Sequence, residues 1–351
     1  MKAVRTAPAI LFAISLISCE GRRPSEPGAI VDQSSAPAFS REVGRTEESA
    51  AIVVFHSARG GNPRIYTMTP GGRDQDPLTG TNTANVGNDL WPDISPNGRL
   101  VAFTSNRSGN NEIYVFDRRT GTLTNVSNSP ADDNWPRWSP NGERIAFHSN
   151  RDGNYNIFTV KADGSDLHRV TNSAVLDQWP DWSPDGKRIV FRRGNNLSVA
   201  DANGEEQNVQ QLTFTPATSS AINQMASWSP NGRRIVFMST RDGYPSVFLM
   251  SARGETVDRP AANLTPKATD QASQWLSRAP SWSSAGGRIY FMSFRPSTNG
   301  DVELFVVNPD GKDLTRLTES AGEDGGPRMP HRPRDRGVDH ARGDSDDDRR
   351  E

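Results

Sequence analysis

The side chains best suited to metal binding or acid–base catalysis in this chain are its five histidines. His56 and His148 share a local context, because each directly follows a phenylalanine in an apolar segment. A metal site needs several ligands that converge on one point. The matching positions of the related segments hold residues that do not form a ligand set: Thr104, Arg192, Met238 and Met292. We therefore expect no catalytic residue, no metal site and no cofactor.

Serine and arginine recur together in a pattern that could form an anion-binding ring. The pattern is Ser-x-Arg, and its copies are Ser57/Arg59, Ser105/Arg107, Ser149/Arg151, Ser239/Arg241 and Ser293/Arg295. Because the pairs stand at one point of nearly every related segment, we interpret them as structural, with the arginine ordering a hairpin or a neighbouring segment. The Gly-x-Ser-x-Gly motif of α/β serine hydrolases does not occur in the sequence.

Cys19 is the single cysteine, so disulfides within the chain and thiolate metal sites are excluded. A basic start and an apolar stretch at residues 7–17 precede it, as in an export signal that is too short to span a membrane permanently. Residues 16–19, Leu-Ile-Ser-Cys, resemble the bacterial lipobox. The resemblance implies a signal peptide at 1–18 and an acylated Cys19. The alternative is an ordinary secretory signal with a stray cysteine.

An internal repeat specifies the elements that position these residues. Residues 135–142 read WPRWSPNG and residues 179–186 read WPDWSPDG, with weaker copies at 91–98, 225–232 and 279–286. The second apolar positions of the copies are spaced by 44, 44, 46 and 54 residues. Such a period, combined with strand-like composition, indicates the blades of a β-propeller.

Each repeat contains the signals for four strands. Pro-Asn-Gly or Pro-Asp-Gly predicts a tight turn after an inner strand, because proline presets φ and glycine accepts the left-handed conformation. A second strand such as Arg144 to Phe147 follows, then a polar hairpin, a third strand and a short outer strand. Four strands per repeat are one propeller blade.

The two ends of the repeat region predict how the ring closes. The first repeat begins with a strand of the second type, at residues 52–55, and lacks an inner strand. Met329 lies 11 residues after Thr318, the same interval that separates Thr171 from Trp182. We therefore expect residues 327–329 to supply the inner strand of the first blade. The predicted fold is an all-β, six-bladed β-propeller over residues 51–331, closed by the C-terminal segment.

The repeat resembles a known family. Pro-x-Trp-Ser-Pro-Asp/Asn-Gly, followed by Ile-Val/Ala-Phe and Ser-x-Arg-Asp-Gly, is similar to the WD40-like (PD40) repeat of TolB-type propellers. The resemblance implies a six-bladed propeller that works in the periplasm as a protein-binding scaffold. The α/β domain that precedes the propeller in TolB has no counterpart here, so the resemblance supports the fold more strongly than a role in the Tol-Pal system.

Positions that differ between repeats are the candidates for recognition. Aromatic residues precede the inner strand in three successive repeats, and residues of both charges follow the next proline. A longer loop at 267–280 carries a further tryptophan on the same side. Exposed aromatic and charged residues at a channel mouth suit partner binding. The candidates are Trp91, Trp135, Trp179, Trp275, Asp93, Arg137, Asp181 and Arg328. The alternative is that the tryptophans seal contacts between blades.

The remaining segments are expected to lie outside the folded domain. Residues 19–50 are rich in Pro, Ser, Gly and charge and predict a flexible tether, whereas 332–351 alternate Arg with Asp and predict a disordered tail. The net charge is −2, and basic patches with interleaved aromatics are absent, so nucleic acid is not an expected partner.

These observations predict a non-catalytic envelope lipoprotein that binds a protein, a peptide or a peptidoglycan-associated partner. The lipid on Cys19 is expected to hold it on the outer membrane, facing the periplasm, because Glu20 replaces the aspartate that marks inner-membrane retention. Two alternatives remain open. One is a propeller enzyme, such as a hydrolase or a lyase, or a glycan-binding or glycan-processing protein, with its site in the central channel. The other is a sensor or assembly subunit of an export complex.

Overall fold

The described part of the chain is a ring of six four-stranded antiparallel sheets. The computed structural model describes residues 52–80, 87–204, 206, 208–216, 218–256, 258–266, 276–294 and 300–330. These residues all fall within one compact unit of the chain. In this part of the chain, no helix is long and apolar enough to cross a membrane. The prediction of an all-β, six-bladed propeller is confirmed.

Every blade has an innermost, a second, a third and an outer strand. The second strands are β1 (Val53–Ser57), β5 (Leu100–Ser105), β9 (Arg144–Ser149), β13 (Arg188–Arg193), β17 (Arg234–Ser239) and β21 (Ile289–Phe294). The third strands are β2 (Arg64–Met68), β6 (Glu112–Asp117), β10 (Asn156–Lys161), β14 (Asn196–Asp201), β18 (Ser246–Ser251) and β22 (Val302–Val307). The outer strands are β3 (Asp76–Pro77), β7 (Leu123–Asn125), β11 (His168–Arg169), β15 (Gln210–Gln211), β19 (Ala262–Asn263) and β23 (Thr315–Arg316).

The innermost strands form the wall of the central channel. In the order of blades 1 to 6, they are β24 (Asp324–Arg328), β4 (Asp89–Ile94), β8 (Asp133–Trp138), β12 (Asp177–Trp182), β16 (Asn223–Trp228) and β20 (Leu276–Trp282). Each contacts the innermost strand of the next blade, and β24 contacts both β4 and β20, so the ring is closed. Blade 1 therefore lies opposite blade 4.

The Ser-Pro-Asn/Asp-Gly sequence makes the turn that the sequence predicts. In blade 2 the Gly98 N–H donates to Ser95 O at 2.8 Å, and the Leu100 N–H donates to Ser95 Oγ at 2.9 Å. Gly98 has a φ of 71°, which a residue with a Cβ adopts only with strain. All such turns lie on one side of the ring, which we name the turn face. The loops that lead from each outer strand to the next innermost strand lie on the other side, the connection face.

The chain's last strand completes its first blade. β24 pairs antiparallel with β1, with Val54 opposite Arg328 and Ser57 opposite Asp324. The prediction that the segment around residues 327–329 closes the ring is therefore confirmed, although the strand begins earlier, at Asp324. Both Val53, which begins β1, and Arg328, which ends β24, lie at the turn face, because the two strands run in opposite directions.

Large apolar side chains fill the space between neighbouring blades. Between blades 4 and 5, for example, Trp228 and Phe237 pack with Val199, and all three are buried. Burying a side chain of this size stabilises the fold by about 1.5–3 kcal/mol. Since a blade is too thin to bury its own faces, the blades depend on one another for stability.

The Ser-x-Arg pairs fasten each hairpin to its own blade. In blade 3, Arg151 donates through Nε to Ser149 Oγ at 2.9 Å and through Nη2 to Asp133 Oδ2 at 2.8 Å, at the start of the innermost strand. The guanidinium also lies over the Phe158 ring, 4.9 Å from its centroid. The equivalent sets are Arg59 with Ser57 and Asp324, Arg107 with Ser105 and Asp89, and Arg241 with Ser239 and Asn223. These contacts support the structural interpretation of four pairs, whereas Arg295 of the fifth pair lies outside the described residues.

Candidate functional site

The innermost strands share a backbone irregularity that determines what faces the channel. Their pairing with the second strand is interrupted by a bulge in all six blades. The residue at the bulge has a positive φ in each blade, namely Trp91 (53°), Trp135 (60°), Trp179 (55°), Met225 (55°), Ala279 (49°) and Gly326 (59°). Five of these residues carry a Cβ, and a positive φ costs such a residue on the order of 1–3 kcal/mol. Something must therefore hold the bulges in place.

Side chains of the preceding blade supply hydrogen bonds to three of the bulges. The Trp91 N–H donates to His56 Nδ1 at 3.4 Å, and the Trp179 N–H donates to His148 Nδ1 at 3.3 Å. In the blade between them, the Trp135 N–H donates to Thr104 Oγ1 at 3.1 Å. Each acceptor follows the phenylalanine that recurs in the second strands, so the position that was weighed as a metal ligand stabilises a strained backbone.

Both histidines are buried and neutral. Burial lowers the pKa of His56 to about 3, and burial together with the nearby Arg137 charge lowers the pKa of His148 to about 3. Each imidazole also contacts the indole beside it, His56 with Trp91 at 4.8 Å and His148 with Trp179 at 6.2 Å between ring centroids. Within the described ranges, no three His, Cys, Asp or Glu side chains gather in a way that could hold a metal ion.

The three bulge tryptophans form one aromatic layer. The ring centroids of Trp91 and Trp135 are 4.3 Å apart, and those of Trp135 and Trp179 are 6.4 Å apart. Met225 and Ala279 belong to the same apolar cluster. Trp135 is 1% exposed, because it lies between the other two indoles, which are only partly buried. The layer fills the channel on its connection-face side, and Trp91 and Trp179 form the part that reaches solvent.

A charged layer lies next to the aromatic layer, two residues further along each innermost strand. It contains Asp93, Arg137, Asp181 and Arg328, with Ser227 and Ser281 at the equivalent positions of the other blades. The strand backbone fixes both carboxylates. Asp93 Oδ2 accepts the Trp138 N–H at 2.7 Å, and Asp181 Oδ2 accepts the Trp228 N–H at 2.9 Å. We name Asp93, Arg137, Asp181 and Arg328 the channel charge cluster.

The two arginines of the cluster share one carboxylate oxygen. Arg137 Nε and Arg328 Nη1 each lie 3.8 Å from Asp181 Oδ1. Burial and the neighbouring Arg328 charge lower the pKa of Arg137 to about 9, although Asp93 and Asp181 oppose this change. The Arg137 guanidinium also lies 4.7 Å from the centroid of the Trp135 ring. The charged and aromatic layers are thus in direct contact.

Arg328 spans the channel. It belongs to blade 1, whereas its partners belong to blades on the far side, since Nη1 approaches Asp181 of blade 4 and donates to Ser227 Oγ of blade 5 at 3.2 Å. The side chain is 2% exposed. Together with the aromatic layer, it closes the channel across its axis. A ligand could pass along the channel only if this side chain moved.

The connection face carries apolar side chains that the sequence reading did not single out. Val175 and Leu176 lie in the loop that enters blade 4, and Phe214 lies in the loop that leaves it. Their exposed fractions are 48%, 43% and 65%. Phe214 is the most exposed of the three, and a group of exposed apolar side chains is more informative than a single one. We name these three residues the blade-4 apolar patch.

A short hairpin at blade 4 connects the parts of this patch. Blade 4 lacks the Ser-x-Arg hairpin, and a turn at Gly194 and Asn195 replaces it. The Gly194 N–H donates to Leu176 O at 3.1 Å, and the Thr215 N–H donates to Asn196 Oδ1 at 2.8 Å, so both loops are fastened to one hairpin. The missing Ser-x-Arg was the sequence signal that could have drawn attention to this blade.

The structure places the predicted site residues in three environments. Trp91 and Trp179 are partly exposed at the connection face, as expected. Trp135 and the channel charge cluster are buried inside the channel and do not line an open mouth, because the bulge directs them towards its axis. Cys19 and Trp275 lie outside the described residues. The partner-binding role of all these residues, and the lipidation of Cys19, stay predictions.

The sequence and the fold both match known proteins. Residues 80–263 match the family model of the TolB beta propeller domain. The fold is similar to TolB from Acinetobacter baumannii, with a TM-score of 0.66, 19% identity and coverage of 81% of this chain and 67% of that chain. For a putative TolB from Agrobacterium tumefaciens the TM-score is 0.57 and the identity 20%, over 79% of this chain and 90% of that chain.

A structural match with lower sequence identity shows how widely this fold is shared. Kuenenia stuttgartiensis hydrazine synthase gives a TM-score of 0.64 and 13% identity, over 81% of this chain and 47% of that chain. No curated protein matches the sequence significantly. At such identities the structural matches establish the fold and leave the activity open.

Proposed function

Because the chain belongs to the TolB beta propeller domain family, we propose that it is a non-catalytic binding protein of the cell envelope that recognises a protein or peptide through its connection face. The observation that carries the proposal is the blade-4 apolar patch. Exposed apolar groups that gather at one place on a soluble surface mark interaction sites, whereas isolated ones do not. Phe214 is the most exposed of the large apolar side chains in the described ranges.

The surroundings of the patch fit recognition of a polypeptide. Trp179 of the same blade is partly exposed, and the Arg192 guanidinium lies 5.1 Å from the centroid of its ring. Aromatic and arginine side chains are over-represented among the residues that contribute most to protein–protein binding. The partner would thus contact the blade-4 apolar patch and, beside it, Trp179 with the Arg192 guanidinium against its ring.

The closed channel also supports a binding role over a reaction in the channel. Arg328 and the aromatic layer occupy the axis, where a substrate of a channel enzyme would have to bind. Side chains on the connection face, in contrast, are accessible without any rearrangement.

The envelope location is part of the same proposal. The lipobox-like residues 16–19 support export and acylation of Cys19, and residues 19–50 would then connect the lipid to the propeller. Cys19 would lie on the outer membrane, with the propeller in the periplasm. The N-terminal end of the described ring, at Val53, lies at the turn face, so the connection face is turned away from the point of attachment.

The test is site-specific crosslinking in the cell of origin. A photo-crosslinking amino acid at position 214 should capture one partner, whereas the same residue at position 314 should not. Leu314 is a matched control, because it is also an exposed apolar side chain but lies at the outer strand of blade 6. The captured protein, purified, should bind wild type and bind Phe214→Ser at least tenfold more weakly. Equal binding to both would show that the connection face is not the recognition surface.

A further inference from the structure

The channel charge cluster has more hydrogen-bond donors than the protein satisfies. A guanidinium offers five N–H donors and no acceptor. The Arg137 Nε and the Arg328 Nη2 are buried and have no hydrogen-bond partner in the protein. The remaining contacts are few, because Arg137 Nη1 donates to Pro136 O at 2.7 Å and Arg328 Nη1 donates to Ser227 Oγ at 3.2 Å.

The two aspartates of the cluster do not remove this deficit. Asp93 Oδ2 accepts the Trp138 N–H at 2.7 Å, and no hydrogen bond joins Asp93 to Arg137 Nε or Arg328 Nη2. Asp181 Oδ1 is 3.8 Å from both guanidiniums, which is beyond hydrogen-bond distance, and its other oxygen is bound to the Trp228 N–H. A buried donor that lacks an acceptor is costly, and the cost is larger when the donor is charged. The two arginines therefore present unsatisfied, positively charged donors from blades 3 and 1.

A groove lies on the turn face, outside this layer. Its volume is about 760 Å³, and it extends over the turns of blades 3, 4 and 5. Trp182 and Trp228, which directly follow Asp181 and Ser227 in the chain, form part of its wall. Three basic side chains and two acidic ones line it, namely Arg144, Lys187 and Arg188 with Glu143 and Asp185. The groove itself is thus slightly basic.

We propose that Arg137 and Arg328 form a binding site for a carboxylate in the central channel. A carboxylate has two oxygens and can accept charge-assisted hydrogen bonds from both guanidiniums at once, and such hydrogen bonds are stronger than those between neutral groups. The carboxylate could belong to a small free anion or to the C-terminus of a peptide. The proposal is independent of the blade-4 apolar patch, which lies on the connection face, so either can fail without the other.

The first experiment uses trifluoroacetate as the probe and ¹⁹F NMR of the full chain in detergent. The wild type should broaden the trifluoroacetate signal saturably, and Arg328→Met should weaken the binding at least tenfold. Arg99→Met is the matched control, because Arg99 is an exposed arginine of the turn face that pairs with Asp117 away from the channel. It should bind as the wild type does.

Competition distinguishes the two sources of the carboxylate. Diglycine should displace the probe if a peptide C-terminus can enter, and diglycinamide, which lacks the carboxylate, should not. If neither peptide competes although the probe binds, the site accepts small free carboxylates only. Both results agree with the proposal, because each requires a carboxylate at the two arginines.

The proposal is overturned if the wild type shows no saturable broadening, or if Arg328→Met and the wild type broaden the signal equally. Arg328→Lys guards against a variant that fails to fold, because lysine retains the charge opposite Asp181 but offers no planar pair of donors. It should keep the circular dichroism spectrum of the wild type and still bind the probe several-fold more weakly. Unchanged binding by a folded Arg328→Lys would also contradict the proposal.

Discussion

Arg328 and Asp181 are 147 positions apart in the chain, yet their side chains approach to 3.8 Å across the central channel, Nη1 to Oδ1. Arg328 ends the last strand, which belongs to blade 1, and Asp181 belongs to blade 4, on the opposite side of the ring. The strand that closes the propeller therefore also contributes the side chain that crosses its centre. The stability of the ring should depend on this segment in several measurable ways.

Truncation should separate the closing strand from the tail. A chain that ends at residue 323 loses β24, which leaves β1 paired only with β2 and removes Asp324 from Arg59. We expect a large fall in the midpoint of thermal unfolding and rapid proteolysis. A chain that ends at residue 334 should unfold like the full chain. Equal midpoints for the two truncations would mean that closure by β24 does not stabilise the ring.

The contributions of Arg328 and Asp181 to the free energy of unfolding should be coupled. Arg328→Ala leaves Asp181 buried with only one arginine nearby, and we expect a loss of about 2–4 kcal/mol in the free energy of unfolding. Asp181→Asn should cost less when Arg328 is already absent, so the double variant should be more stable than the sum of the single losses predicts. Urea unfolding measures all three variants. Strict additivity would show that the two side chains do not interact.

The arginines of the Ser-x-Arg pairs should contribute more to the free energy of unfolding than arginines in exposed ion pairs of similar geometry. Arg151→Ala removes the partner of the fully buried Asp133 carboxylate, and we expect a loss of about 2–4 kcal/mol. Arg99→Ala removes an exposed partner of Asp117 and should cost less than about 1 kcal/mol. Chemical unfolding of the two variants is the measurement. A similar cost for both would remove the distinction between the buried and the exposed pair.

The buried histidines should make the protein sensitive to acid. Their pKa is about 3 in the folded protein and 6.5 when exposed, so the unfolded chain takes up the protons first as the pH falls. The free energy of unfolding should therefore decrease from about pH 6.5 down to about pH 3, by up to about 1.4 kcal/mol per pH unit for each histidine. Below about pH 3 this contribution should level off.

A threonine variant provides the control for the acid effect. Thr104 accepts the equivalent bulge hydrogen bond in blade 2, so His56→Thr and His148→Thr retain an acceptor that does not titrate. Their stability should depend less steeply on pH between 6.5 and 3 than that of the wild type, as followed by urea unfolding at several pH values. An unchanged slope would assign the acid sensitivity to other groups.

Lipidation can be tested independently of the fold. Cys19→Ser should move the protein from the membrane fraction to the soluble fraction and abolish labelling by a radioactive or alkyne-bearing fatty acid. Its propeller should unfold as in the wild type, because residue 19 lies outside the blades. Retention in the membrane fraction without label would indicate attachment by something other than a lipid on Cys19.

The repeat pattern made the blade architecture predictable. The Trp-Ser-Pro-Asn/Asp-Gly sequence specifies a turn by local chemistry, and its recurrence gives the number of blades and even the position of the closing strand. These features depend on residues that are close in the chain. Val54 and Arg328 pair as the 11-residue interval from Thr318 to Met329 implies, because the loops that lead into blades 3 and 4 have the same length.

The environment of the site residues was harder to predict, because it depends on the bulge. Side chains of a regular strand alternate between its two faces, and this rule does not predict the positive φ of Trp135. It also does not predict that the Trp135 indole lies between those of Trp91 and Trp179. The role of His56 and His148 follows from the same bulge, since its free N–H group needs an acceptor from the preceding blade. The blade-4 apolar patch escaped notice because it lies in loops that the repeat does not define.

The position of both strand ends at the turn face has a mechanical consequence. β1 lies between β24 and β2, and the tether would pull on β1 at Val53. A force that separates residues 52 and 330 acts at one end of the β1–β24 pair and would unzip it one hydrogen bond at a time. A partner that pulls from the connection face would instead load β1 along its length, in shear, so that all of its hydrogen bonds resist together. A propeller held in this way would be strongest in the direction in which a bound partner pulls.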